Sequence, residues 1–402
     1  MHFDFETILD RRGHDAIAVD AVGTDQFGYP APRDGLDPIP MWVADMNFPV
    51  PPSIQQAVTD RVRHPAFGYF NPRQEYFDAI LGWQRRRNGV TGLKQEHIGY
   101  ENGVLGGLSS AMRVLCSRGD SVLIHSPTYL GFTRTLEENG YHMELSPLKK
   151  DAAGVWRMDF ADMERRIVEK KIHAAVFCSP HNPTGRVWER WEIEGAMELF
   201  RKYDVTVISD EIWSDLILPG CHHIPTQSVS EDARNRTVAF YAPSKTFNLA
   251  GLIGSYHIIY NRVLRERIGK ESAMTHYNSM NVLSMYALMG AYSDEGERWL
   301  EQLRQVLAGN VRLACDALRE MAPGAALSEP QGTYMLFPDF GPWLERRGWD
   351  LETLLRAGWR EGVVWQDGRP FHGETAIRMN LALPKARLEE ALERLKTGVF
   401  CG

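Results

Sequence analysis

Through the middle of the chain, short continuous apolar runs alternate with longer stretches whose apolar residues recur at helical spacing. The runs Ser121–His125, Ala174–Cys178, Val205–Ser209, Thr237–Tyr241 and Ser255–Tyr260 read as strands buried on both faces. The stretches Gly106–Leu115, Tyr129–Asn139 and Trp188–Tyr203 read as the helices between them. Strand–helix alternation of this kind predicts an α/β fold built on a mainly parallel sheet with helices on both faces. Residues 1–50 are rich in Pro, Gly and Asp and read as an arm. From Pro51 the pattern turns helical, with Ser53 as N-cap for Ile54–Val62 and a second helix over Glu75–Arg86. The last third opens with long helical periodicity over Val282–Tyr292 and Glu295–Met321. It then mixes strands, Gly332–Pro338 and Ala376–Leu381, with helices, Leu351–Gly362 and Lys385–Lys396, as a smaller α+β domain would. The expected organisation is an arm at 1–50 that also joins the small domain, a large domain at 51–285 and a small C-terminal domain at 286–402.

Composition narrows the classes of function. The chain has 402 residues, 44% hydrophobic and 24% charged, which suits a folded protein of more than one domain. A net charge of −7 without a basic block argues against nucleic-acid binding. No apolar run reaches the roughly 20 residues of a membrane span. Met1–Glu6 has no apolar signal segment, so a cytoplasmic protein is expected. The five cysteines are scattered, with no Cys-x-x-Cys pair, as in a reducing compartment. Cys221-His222-His223 follows Pro219-Gly220 and lacks a distant ligand pair, so it reads as a loop and no metal is expected.

In an open parallel sheet, ligands bind at the carboxyl ends of strands. Here Tyr129 follows the first predicted strand of the sheet and Asn182 the second. Asp210 ends the third, and Ser244-Lys245 follows the fourth. An aromatic, an amide, a carboxylate and a lysine on one edge suit pyridoxal phosphate. The aldehyde needs an amine, Lys245. The ring nitrogen needs a carboxylate to keep its proton, Asp210. The phenolic oxygen needs a donor, Asn182, and the ring face a flat partner, Tyr129. The phosphate needs bare amides at a helix start, which Gly103-Val104-Leu105 provides, with the Ser244 hydroxyl beside it. Singly, each is ordinary: a surface lysine, a loop carboxylate, a turn asparagine, a core tyrosine. Their shared position carries the reading.

The motifs Ser179-Pro-His-Asn-Pro-Thr-Gly185, Ser209-Asp-Glu-Ile212 and Ser244-Lys-Thr-Phe-Asn248, with Arg378, resemble those of fold-type I pyridoxal-phosphate enzymes of the class I/II aminotransferase superfamily. Phe3-Asp4-Phe5 with Asp10-Arg11, Trp42-Val43-Ala44-Asp45-Met46, Phe67-Gly68-Tyr69 and Ala242–Gly251 narrow the resemblance to the MalY/PatB group of cystathionine β-lyases. The likeness runs along essentially the whole chain. It implies an aspartate-aminotransferase-like fold with a seven-stranded sheet. It also implies that Lys245 holds the cofactor and then removes the substrate α-proton, with Asp210 and Tyr129 assisting. Arg378 would clamp the α-carboxylate, Asn182 and Ala44 would line the substrate side, and Tyr69 would reach the site of a second subunit in a homodimer.

Two places depart from that pattern. Trp213 stands three residues after the aspartate, where the lyases have His and aminotransferases Tyr. Trp can donate to the ring oxygen or fill volume, but it cannot accept a proton. Gln366-Asp367-Gly368 replaces a common Pro-Gly. The expected reaction is cleavage of cystathionine or a related S-substituted cysteine to thiol, pyruvate and ammonia. Transamination of an L-amino acid is the alternative, because both chemistries use Lys245 and Asp210. A purely regulatory binding role is disfavoured by the intact catalytic set.

Overall fold

The computed structural model describes residues 2–401. Its centre is a seven-stranded sheet: β1 (Ile98–Glu101), β2 (Ser121–Ser126), β3 (His142–Pro147), β4 (Ala174–Cys178), β5 (Thr206–Asp210), β6 (Thr237–Tyr241) and β7 (Ser255–Ile258). Their spatial order is β1-β7-β6-β5-β4-β2-β3, with β7 antiparallel to both neighbours and every other pair parallel. The mainly parallel seven-stranded sheet is therefore present. Two of its strands escape hydrophobic patterning. β1 is four residues long and contains a glycine, and β3 is an edge strand whose side chains are mostly half-exposed.

The period-two alternation of strands sorts side chains between two cores. Val122, Ile124, Val176, Cys178 and Ile208 face one side, against α3 (Val104–Leu115). Leu123, Ala175, Phe177 and Val207 face the other, against α5 (Phe160–Lys170) and α6 (Arg190–Lys202). Asp210 lies two residues beyond Ile208, so it leaves the sheet on the α3 side, at the strand's carboxyl end.

Ahead of the sheet run α1 (Pro52–Arg63) and α2 (Gln74–Asn88). The cap of α1 is Pro51 rather than Ser53. Pro52 enters the first turn, where a missing N–H costs nothing, and the Ser53 hydroxyl instead donates to the Gly290 carbonyl at 2.8 Å. Helix α3 starts at Val104, two residues earlier than its periodicity suggests, and this brings the Val104 and Leu105 amides into the first turn. Between β2 and β3 runs α4 (Leu130–Glu138).

Beyond the sheet come α7 (Arg262–Met274), α8 (Val282–Ala291) and the 28-residue α9 (Asp294–Met321). A three-stranded sheet follows, β8 (Met335–Leu336), β9 (Gln366–Asp367) and β10 (Ile377–Asn380), in the order β8-β10-β9. The strand expected over Gly332–Pro338 shrinks to β8, because Thr333 takes a φ of 65°, outside strand geometry.

The N-terminal residues are woven into this part. Ile39–Pro40 pairs in parallel with Val363–Val364. Phe5 packs on Trp299 of α9 with ring centroids 5.3 Å apart. The Arg11 guanidinium grips Asp45 with contacts of 2.6 and 3.2 Å. The Asn248 side chain pairs with both backbone groups of Met46, at 3.0 and 2.8 Å, as a strand neighbour would.

The turn after β4 is pinned to the segment leading into β8. The Gly185 carbonyl accepts from the Gln331 and Gly332 amides at 2.8 and 2.9 Å. Gly185 has a φ of 68°, and an added Cβ would stand 2.3 Å from Pro330. Gly185→Ala therefore combines a left-handed backbone penalty with a clash against a ring that cannot yield. The expected cost is about 2–4 kcal/mol of unfolding free energy, read as a lower urea midpoint at unchanged slope.

Candidate active site

Ends of the central strands, the first turn of α3 and the N-terminal arm wall one cavity of about 310 Å³. From the carboxyl ends of β4, β5 and β6 and the segments that follow them come Asn182, then Asp210 and Trp213, then Ser244 and Lys245. Tyr129 enters from beyond β2, Gly103, Val104 and Leu105 from α3, and Ala44 from the arm. Ten of the twelve residues singled out in the sequence thus meet in one place.

The first turn of α3 is built to receive an anion. Gly103, its cap, has a φ of 89° that disfavours a side chain, and no side chain caps the helix. Two residues absent from the sequence reading fix this turn. The Tyr277 hydroxyl donates to the Gly103 carbonyl at 2.6 Å, and the Asn102 amide donates to the Tyr277 carbonyl at 2.6 Å.

Three charged groups are buried together with few partners. Among the described residues, the Asp210 carboxylate accepts only the Ile212 amide, at 3.1 Å. Desolvation outweighs that bond and the nearby Lys245 cation, and pushes Asp210 up to about 7. The Lys245 ammonium donates to the Ala44 carbonyl at 3.0 Å. Burial, with the Arg378 cation adding to it, brings Lys245 down to about 8, against the opposing pull of Asp45 and Asp210. Arg378 stands behind the cavity wall. One terminal nitrogen donates to Asn182 Oδ1 at 3.3 Å and the other to the Trp42 carbonyl at 2.9 Å. With its Oδ1 so engaged, Asn182 keeps its NH₂ for the cavity.

Trp213 is buried and packs edge-on against Tyr334, with centroids 4.7 Å apart. The Tyr334 hydroxyl donates to the same Ala44 carbonyl that Lys245 uses, at 3.0 Å. Cys178, Ile212, Ile253 and Ser255 also line the cavity and were not anticipated. Cys178 and Ile212 flank anticipated motifs and could be found by proximity. Nothing local marks Tyr277 or Tyr334.

Arg378 and Tyr69 are the two expected residues that do not line the cavity, and Tyr69 stands apart from it altogether. Its side chain is fully exposed, with a relative accessibility of 111%, outside the cavity of its own chain. His223, from the Cys-His-His run, instead binds the buried Glu211 at 2.8 Å. A larger cavity of about 630 Å³ lies beside Arg186 and Gln331. The Arg186 charge there is already taken by Glu189 and Glu192.

The family described as aminotransferase class I and II matches residues 39–395. Cystathionine beta-lyase PatB of Bacillus subtilis is 33% identical over 399 residues, covering 98% of this chain and 100% of that protein. Protein MalY of Escherichia coli is 30% identical, covering 98% of each chain. The pyridoxal-phosphate-bound C-S lyase of Staphylococcus hominis superimposes with a TM-score of 0.88 at 30% identity, again over 98% of each chain.

Asp210 has a folded pKa above its unfolded one. Its neutral form is favoured on folding, and the cofactor-free protein loses stability as pH rises from about 4 through about 7. Asp210→Asn removes the buried charge. The variant is expected to gain about 2–4 kcal/mol in cofactor-free stability above pH 7, and the gain should shrink as pH falls toward 4. Thermal melts across that range check it.

Proposed function

The chain belongs to the class I and II aminotransferase family and, within it, to the MalY/PatB group, and from that premise we propose that it cleaves cystathionine or a related S-substituted cysteine to a thiol, pyruvate and ammonia with pyridoxal phosphate. The convergence of Lys245, Asp210, Asn182 and Tyr129 on one cavity supports the pyridoxal-phosphate chemistry, and full-length similarity to cystathionine β-lyases and a C-S lyase carries the choice of carbon–sulfur cleavage over transamination.

The residues present fit the cofactor. Asp210 is a carboxyl pushed up to about 7 by desolvation, which its Ile212 bond and the nearby Lys245 cation do not offset, and a protonated ring nitrogen would add a direct cationic partner. Lys245 is a primary amine on the cavity wall, and the uncapped start of α3 offers amides to a phosphate. When bound, pyridoxal phosphate supplies an aldehyde for an amine and a ring that takes up the electron pair released at the substrate Cα.

The chain's own groups do the rest. Val104, Leu105 and Ser244 would hold the phosphate, Tyr129 would cover a ring face, the Asn182 NH₂ would serve the ring oxygen, and Asp210 would keep the proton on the ring nitrogen. Arg378 takes the substrate α-carboxylate with a fork shaped for it. Burial brings Lys245 down to about 8, so a sizeable minority of molecules carry it neutral near physiological pH, and in that form its Nζ can accept the Cα proton. Loss of that proton and departure of the thiolate from Cβ, followed by water, yield pyruvate and ammonium. Trp213 cannot serve as acid or base. With its ring against Tyr334, it shapes the cavity instead. Ala44 lines the substrate side through the carbonyl that receives Lys245.

The working assembly is a homodimer in which Tyr69 completes the neighbour's site. Phe67, Tyr69 and Phe70 are exposed, and so is Ile253, which lines the cavity and leaves its wall partly bare. A cytoplasmic setting accords with five free cysteines.

With S-substituted cysteines as substrates, thiol, pyruvate and ammonia should appear in equal amounts, and Lys245→Ala should abolish all three. A keto acid retaining the substrate's sulfur, formed without thiol release, would instead mark transamination and sink the lyase reading. The shared site has its own test. Mixing Tyr69→Phe subunits with Lys245→Ala subunits creates heterodimers in which one site carries both changes and the other neither. Activity should rise above the mean of the parents, and a monomeric mass or a simple average refutes the shared site.

A further inference from the structure

Two buried polar atoms near the cavity have no hydrogen-bond partner: Arg378 Nε, a donor, and Gln366 Oε1, an acceptor. They belong to residues directly opposite one another in the antiparallel β9–β10 pair. Cross-strand partners project from the same face of a sheet with Cβ atoms roughly 5 Å apart, within reach of two long side chains. Leaving both unmade is costly in a buried place.

The rest of the Arg378 side chain is already constrained. Its guanidinium lies over the Phe371 ring at 4.5 Å, and its two terminal nitrogens point to Asn182 and to the Trp42 carbonyl. A guanidinium can grip a carboxylate through its terminal pair or through one terminal nitrogen and Nε. An acceptor on Nε removes the second option. The neighbouring Asp367 carboxylate is taken by Arg369, with contacts of 2.7–3.0 Å. The group opposite Arg378 is thus a neutral amide, which directs the guanidinium without cancelling its charge.

We propose that Gln366 is a positioning residue: its Oε1 accepts the Nε–H of Arg378 as substrate enters, and so holds the terminal fork of the guanidinium toward the α-carboxylate. This rests on the reading of Arg378 as the carboxylate clamp. It also gives the Gln-Asp-Gly departure at 366–368 a role, with Gly368 required because an added Cβ would stand 2.2 Å from the Ala376 carbonyl oxygen.

The test uses the holoenzyme and two ligands without an α-amino group, (methylthio)propanoate and its primary amide, titrated by calorimetry. Gln366→Leu should weaken the carboxylate ligand about tenfold, the scale of one hydrogen bond to a charged group, and leave the amide ligand unchanged. For S-methylcysteine it should raise KM about tenfold with kcat within about twofold. Gln366→Glu keeps the acceptor but adds a charge that cancels the guanidinium's, so it should also weaken the carboxylate ligand and still spare the amide ligand. The amide ligand reports that the variant is folded, and Gln366→Met replaces Gln366→Leu if it is not. Equal weakening of both ligands, or of neither, overturns the positioning role. If Arg378→Gln also spares carboxylate binding, the clamp reading fails instead.

Discussion

The constraint on which the rest depends is the burial of Asp210, Lys245 and Arg378 around one cavity without enough protein partners to satisfy them. Desolvation drives the carboxyl up and the two bases down, each toward neutrality. A folded chain tolerates such a cluster only if the surrounding structure is rigid enough to prevent its collapse or flooding. Two backbone carbonyls do much of the holding. The Ala44 carbonyl takes Lys245 and Tyr334, and the Trp42 carbonyl takes Arg378. The unmet demand is chemically useful. A lysine whose pKa burial lowers to about 8 and a desolvated carboxyl pushed up to about 7 suit the amine and the ring-nitrogen partner that pyridoxal phosphate requires.

The arm that carries those carbonyls is accordingly tied from several directions. Asn248, three residues beyond Lys245, pairs with Met46, and Asn380, two residues beyond Arg378, donates to the Val43 and Asp45 carbonyls at 2.6 Å each. Arg11 closes on Asp45. Each bond is modest in free energy. Together they couple the Lys245 loop, the Arg378 strand and the N-terminal arm, so the motifs in the first 50 residues contribute to the cavity as well as to the core.

Trp213 shows how one substitution redistributes roles. An indole cannot relay protons, and here it is buried against Tyr334. On the proposed function, proton transfer at Cα would then fall to Lys245, whose pKa burial lowers to about 8. The buried Glu211, next to Asp210, is satisfied by His223, Tyr241 and the Thr226 amide, so it holds structure and leaves Asp210 as the charge facing the cavity.

What the sequence by itself determined is the chemistry set by short-range rules. Continuous apolar runs had to be buried strands, so the residues that follow them had to gather at one edge, and Asp210, Asn182 and Lys245 could be placed there without knowing a single contact. Patterning lost β1 and β3, because a glycine-bearing four-residue strand and a half-exposed edge strand carry too little apolar signal. It misjudged the start of α3, because glycine at the cap and valine in the first turn carry no polar cap signal. Only the tertiary structure decided which distant groups meet. Tyr277 holds Gly103 across 174 residues and Arg378 reaches Asn182 across 196. The Arg378–Gln366 opposition depends on register in a strand pair that no local pattern encodes. Tyr69 turns outward because no surface of its own chain covers it. Such pairings follow from how whole elements pack, and packing is a property of the assembled chain rather than of any segment in it.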